Sequence, residues 1–179
     1  MITIMFGLIE ILDGLPHQIM ALKAGETLFH LGDRVSQLYV VRAGDVHLLR
    51  YDAEGREAVM QRAGPETLLA ESSIFSEVYH CNAVAAAPSE LAVIARADFR
   101  RAADADPRTM EAIARHLARE VQRARARLEI LSKKTVRERL DTWSTLGGGE
   151  LQRGSMVAVA REIGVTPEAL YRELNKHRR

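Results

Sequence analysis

The stretch Leu22-Lys23-Ala24-Gly25-Glu26-Thr27-Leu28-Phe29-His30-Leu31-Gly32-Asp33, followed by Leu38-Tyr39-Val40-Val41-Arg42-Ala43-Gly44-Asp45-Val46, decides the amino-terminal fold. Its short apolar runs are separated by the turns Gly25-Glu26, Gly32-Asp33 and Gly44-Asp45. The pattern continues through residues 46–50, the turn at 52–56 and the run at 58–60. Short strands at near-regular spacing with glycine turns predict an antiparallel sandwich or barrel. Residues 52–56 read as a hairpin turn. A further strand pair is expected at 82–86 and 91–94, joined at Pro88-Ser89. Residues up to about 20 read as a short lead-in helix.

After Ala95 the period changes from two to that of a helix. A short helix is expected at 98–103. Asp106 then reads as an N-cap and Pro107 as the first turn of a long helix reaching Leu131. Its apolar positions are Met110, Ile113, Leu117, Val121, Ala124, Leu128 and Leu131. Steps of three and four residues make a narrow heptad-like seam, which suits a two-fold partner helix. Ile113, Leu117, Val121, Ala124 and Leu128 are the expected dimer contacts, and the other faces carry arginines. The polar break Ser132-Lys133-Lys134-Thr135 precedes another helix over 136–146, which Gly147-Gly148-Gly149 ends.

The carboxy-terminal stretch places Val159, Ile163, Val165, Leu170 and Leu174 where they face inward, with small Ala160 at a close crossing. Gly164 allows a sharp turn, Thr166 is an N-cap, and Pro167 and Glu168 suit the next first turn. This is the layout of a helix-turn-helix. Its second helix would enter the major groove with its first residues at the base edges. The expected DNA-binding residues are Thr166, Pro167, Glu168, Tyr171, Arg172, Asn175 and Lys176. Arg172 can bond guanine twice, and Glu168 can accept from a cytosine amino group. Lys176, His177, Arg178 and Arg179 would lie nearer the phosphates.

The whole chain of 179 residues has a net charge of +1. That figure hides a split: residues 1–99 sum to −6 and residues 100–179 to +7. The basic part is the one suited to a polyanion. No run is long and apolar enough for a membrane span. The start has no basic region before its apolar residues and does not read as a signal peptide. One cysteine makes no internal disulfide and no CxxC zinc site, which fits a reducing cytoplasm. His17, His30, His47 and His116 have no partner at metal spacing. No phosphate-binding glycine loop or nucleophile triad is present, so no catalytic residue and no enzyme is expected.

With these motifs in sequence order, the chain resembles the catabolite-activator/FNR family of bacterial transcription regulators over nearly its full length. Residues 22–46 resemble the cyclic-nucleotide-binding β-roll. The resemblance implies an α+β chain: an antiparallel β-roll (jelly roll) effector domain at 1–98, a linker and dimerisation helix at 99–132, and a helix-turn-helix domain at 133–179. It implies a homodimer on double-stranded DNA, a small-molecule effector, and RNA polymerase as a further partner, in the cytoplasm and without a membrane. The effector pocket it points to is Glu71, Ser72, Ser73, His80, Cys81 and Asn82. Cyclic-AMP-binding members hold the ribose with a Glu and the phosphate with an Arg-Ser pair. Here Glu71 is kept, but Cys81 and Asn82 stand at the Arg-Ser positions. A phosphate without that cation forgoes charge-assisted bonds of about 1.5–3 kcal/mol each, so cyclic AMP is not expected, and the alternatives are that the pocket binds another molecule or none.

Cys81 also admits a thiol-sensing reading if an imidazolium at His80 lowers its pKa, against that of a buried inert cysteine. A haem ligated by His or Cys is a further alternative, whereas the iron–sulfur cluster of the family's oxygen sensors needs more cysteines. The alternative function is a nucleotide- or thiol-sensing module acting through protein contacts. The sequence ends at Arg179, where the family continues into a two-stranded wing, so two alternatives stay open: a helix-turn-helix lacking the full wing, with weaker DNA affinity expected, or a sequence that stops short of it.

Overall fold

The computed structural model describes residues 7–148 and 155–176. The amino-terminal part opens with helix α1 (Leu8–Asp13), followed by strands β1 (His17–Leu22), β2 (Thr27–Phe29), β3 (Gln37–Ala43), β4 (Val46–Tyr51), β5 (Glu57–Ala63) and β6 (Thr67–Leu69). A one-turn 3-10 helix (Glu71–Ser73) leads to β7 (Asn82–Ala85) and β8 (Ser89–Ala95). Two four-stranded antiparallel sheets form, in the orders β1-β8-β3-β6 and β2-β7-β4-β5. This is the expected β-roll.

The unbroken apolar runs in β3 and β8 have a direct cause. Tyr39, Val41, Leu91 and Val93 face the second sheet and pack with Phe29, Leu48, Tyr79 and Ala83. The alternate residues Leu38, Val40, Ala92 and Ile94 face away, against Leu8, Leu12, Phe99 and Ile113. A sheet covered on both faces needs apolar residues at both parities.

The expected pairing of 82–86 with 91–94 is corrected. β7 pairs with β2 and β4, whereas β8 pairs with β1 and β3, so the two strands lie in different sheets. Pro88-Ser89 is a corner between sheets. The Asp45 N–H donates to Ser89 Oγ (3.1 Å), and Ser89 Oγ donates to Ala87 O (2.8 Å). Gly44, at φ 88°, lies against this corner, where a Cβ would come within 2.4 Å of Pro88 O. β1 was not expected. It is an edge strand with its first five residues exposed, and its place comes from backbone pairing with β8, which leaves no apolar alternation to read.

Helices α2 (Arg96–Ala105) and α3 (Pro107–Ser132) follow, as the sequence predicts. The Asp106 carboxylate accepts the Arg108 N–H (3.0 Å) at the start of α3. The carboxy-terminal helices are α4 (Val136–Thr145), α5 (Met156–Glu162) and α6 (Pro167–Lys176). Thr135 caps α4 in a reciprocal box with Glu138, and the Thr135 N–H (2.9 Å) and hydroxyl (3.0 Å), both donating to the Glu138 carboxylate, hold its pKa below the ordinary value. The chain divides into two compact units after Leu117, inside α3. This packing boundary differs from those expected after residues 98 and 132. Phe99, Ala103 and Ile113 belong to the core of the first unit, whereas Ile130 belongs to the core of the second.

Candidate nucleic-acid interface and effector pocket

The second unit has a small core of Ile130, Leu140, Trp143, Val159, Ala160, Ile163 and Leu170. Val165 and Leu174 pack on it half-buried, so all the residues expected to face inward do so. Ala160 is fully buried. Between α5 and α6 the Val165 N–H donates to Ala160 O (2.9 Å), and Gly164 takes φ 67°. A Cβ at Gly164 would meet Leu131 Cδ2 at 2.5 Å, so glycine answers both a positive φ and a close approach.

Arg139 of α4, not singled out from the sequence, holds this turn from behind. Its Nη1 donates to Ile163 O (3.2 Å) and Gly164 O (3.1 Å), while its Nε donates to Lys133 O (2.9 Å). An arginine half-buried on a helix reads in sequence like any solvated one.

On α6, Thr166 Oγ1 accepts the Ala169 N–H at 3.2 Å, as an N-cap should. Glu168 accepts from its own N–H and from the Thr166 hydroxyl, which together hold its carboxyl below the usual range. Leu170 is buried, whereas Glu168, Tyr171, Arg172, Asn175 and Lys176 are exposed. Those five recur at helical spacing and share one face. Pro167 is half-buried beside them, and Lys176 pairs with Glu173 (3.2 Å). His177, Arg178 and Arg179 lie outside the described residues.

The seam on α3 divides. Ile113 is 1% exposed inside the core of its own unit, so the expectation that it meets a partner helix is corrected. Leu117 is half-buried against the same core. Val121 (49% exposed), Ala124 and Leu128 (68% exposed) are uncovered.

In the first unit, Ala70 takes a left-handed conformation before the 3-10 helix. Gln61 of β5 fixes that bend: its Oε1 accepts the Ala70 N–H (3.2 Å), and its Nε2 donates to Glu71 Oε2 (2.7 Å). Cys81 is buried, which raises its thiol pKa; Arg50 opposes the rise and Glu71 adds to it. Of the two readings of Cys81, this burial favours the buried inert cysteine over a thiolate stabilised by an imidazolium. His80 is exposed with its ring on Ser76 Oγ (3.1 Å), and the cation acting on Cys81 is Arg50.

Arg50 was not read from the sequence. The register pairing Leu49 with Asn82 is what carries it alongside Cys81. Asn82 Oδ1 accepts the Leu31 N–H (3.0 Å) and so holds the loop after β2. Ser73 is buried with no partner for Oγ among the described residues, whereas Ser72 is exposed. Glu71 and Cys81 are thus brought together, while Ser72 and His80 lie at the surface. Among the described residues no group of acidic, His and Cys side chains is arranged to hold a metal, and no helix is long and apolar enough to cross a membrane.

Residues 19–106 match the cyclic nucleotide-binding domain family. The chain is 32% identical to the cyclic AMP receptor protein of Thermus thermophilus over 117 residues, covering 65% of this chain and 54% of that one. It is 28% identical to the transcriptional activator protein FnrA of Stutzerimonas stutzeri over 137 residues, covering 75% and 55%. The chain thus spans about half the length of the curated relatives it matches. The structure of FixK2 from Bradyrhizobium japonicum superposes with a TM-score of 0.69 at 19% identity, covering 90% of this chain and 84% of that one, a likeness of fold. Over residues 19–106 the chain is therefore similar to the cyclic nucleotide-binding domain family, and over about two thirds to three quarters of its length it is similar to the named transcription regulators.

Proposed function

We propose that this chain is a transcription regulator that binds double-stranded DNA as a homodimer, under the control of an effector at the β-roll. The observation that carries the reading is α6. One face is anchored in a core, its turn is fixed by Arg139, and its other face presents Glu168, Tyr171, Arg172, Asn175 and Lys176. Thr166 and Pro167 set the start of that helix, where side chains reach base edges. Arg172 reads guanine, and Lys176 serves a phosphate.

The uncovered residues Val121, Ala124 and Leu128 supply the dimer seam, with half-buried Leu117 at its margin. A dimer places two α6 helices for half-sites about one DNA turn apart. The effector biases the arrangement of α3 and so that spacing. RNA polymerase is the further partner that the family relation suggests.

The effector site is built on Glu71, Ser73 and Cys81, with Arg50 as its cation, and with Ser72, His80 and Asn82 around it. A neutral thiol at the family's phosphate-binding arginine position, with the guanidinium of Arg50 on the neighbouring strand β4 instead, favours an effector other than cyclic AMP. With cyclic AMP at millimolar concentration, no rise in melting temperature is expected; a saturable rise overturns that part of the reading.

The experiment for the whole reading is selection of binding sites from random duplex DNA, repeated with Arg172→Ala. A recovered two-fold sequence that the variant no longer prefers supports the reading. Failure to bind DNA in a salt-dependent way overturns it in favour of a sensing module acting through protein contacts.

A further inference from the structure

The second unit contains a cleft of about 310 Å³, with no α6 residue among its lining. Its volume is at the lower end for small-molecule sites. One wall is α3, where Arg123, Arg127 and Ile130 recur at helical spacing. The opposite wall is Trp143 and Leu146 of the α4 end, and Glu162 of α5 closes one side.

The chemistry of the lining is asymmetric. The Trp143 indole N–H donates to the Glu162 carboxylate, so the one polar group of the ring and one face of the acid are used. Gly148 lies against the ring, where a Cβ would come within 2.2 Å of it. Ile130 and Trp143 are otherwise core residues, and Leu146 is an exposed apolar side chain at the mouth. Arg123 is paired with Glu120 at 2.6 Å. Arg127 is exposed, and no acidic partner for it is seen among the described residues. An apolar wall with one unneutralised guanidinium at its rim complements a small monoanion with an apolar body. A carboxylate suits the planar donor fork of arginine.

We infer that this cleft binds a small aromatic or branched aliphatic carboxylate, with its apolar body against Trp143, Ile130 and Leu146 and its carboxylate on Arg127. Because Glu162 is the last residue of α5, an occupant touches the first helix of the helix-turn-helix directly. The inference concerns ligand binding alone and stands or falls independently of DNA recognition.

Trp143 is the only tryptophan in the chain, so its emission reports on this cleft. The full chain is titrated with phenylacetate and, in parallel, with uncharged phenylacetamide. A saturable emission change with phenylacetate is expected, with binding of the amide weaker by about ten-fold, the loss of one charge-assisted pair. Arg127→Gln weakens phenylacetate binding by about ten-fold, while Arg127→Lys, which keeps the charge but not the planar fork, retains part of it. Thermal melts of each variant show that the fold is kept, and Arg101→Ala in the first unit serves as the charge control. An emission change that never saturates overturns the inference. So does equal binding of acid and amide, or an Arg127→Gln variant that binds phenylacetate as the unmodified chain does.

Discussion

Arg139 donates to the carbonyls of Lys133, Ile163 and Gly164, and so joins the loop before α4 to the turn of the helix-turn-helix. Half-buried carbonyls that lose a charged donor become costly, by about 1–3 kcal/mol. Arg139→Ala is therefore expected to destabilise the second unit by about 2 kcal/mol, read from urea unfolding followed by Trp143 emission. Arg139→Lys recovers only part, because a point charge cannot reach all three carbonyls at once. Cys81 makes the opposite point about a residue that sequence singles out. Its neighbours in the chain suggest an activated thiol, but burial raises its pKa. The folded state then holds the thiol proton more tightly than the unfolded chain does. The stability this brings is complete below about pH 8.5 and is lost as pH climbs through the folded value. Native alkylation by iodoacetamide at pH 7.5 is expected to be much slower than in urea and to rise toward alkaline pH. A native rate equal to the unfolded rate at pH 7.5 restores the thiol-sensing reading.

At the scale of elements, α3 is one helix with two kinds of apolar residue. Ile113 completes the core under the first sheet, whereas Leu128 is left uncovered by the described residues. Ile113→Ala is expected to cost about 2–4 kcal/mol of stability and to leave the oligomeric state unchanged. Leu128→Glu is expected to leave the melting temperature of each unit nearly unchanged and to turn a dimer into a monomer, as measured by sedimentation equilibrium. A Leu128→Glu variant that sediments as the unmodified chain does removes α3 as the dimer contact. The heptad-like spacing was legible in the sequence, but its division was not. Spacing records which residues share a helix face and says nothing of where a neighbouring sheet stops covering that face. The same limit explains the sheet error. The turns and strand positions around Gly44 and Pro88 were readable locally, whereas the partners of β7 and β8 depend on contacts between distant parts of the chain. The helix-turn-helix was legible almost residue by residue. Its signals at Ala160, Gly164, Thr166 and Leu170 are local turn and capping chemistry, and the structure uses each one as such.

At the scale of the molecule, the charge split follows the packing units. Residues 1–117 sum to −5 and residues 118–179 to +6, so the units differ in sign on either side of the boundary in α3. Under the proposed function, a polyanion is attracted to the second unit and repelled by the first, which directs an encounter before any base is read. Each phosphate contact contributes about 0.9 to the slope of log affinity against log salt, because it releases condensed counterions. Lys176→Ala is expected to lower that slope by about 1 per protomer while weakening all sequences alike. Arg172→Ala is expected to cost about 1–3 kcal/mol on the preferred site and to relax preference at one base pair, since its loss removes information as well as charge. Arg101, which pairs with Asp98 in the first unit, gives the control: Arg101→Ala should change neither slope nor selectivity. Fluorescence anisotropy titrations over a range of salt concentrations measure all three variants. If Arg101→Ala lowers the slope as much as Lys176→Ala does, DNA is meeting the molecule through its overall charge, and the assignment of the contact to α6 fails.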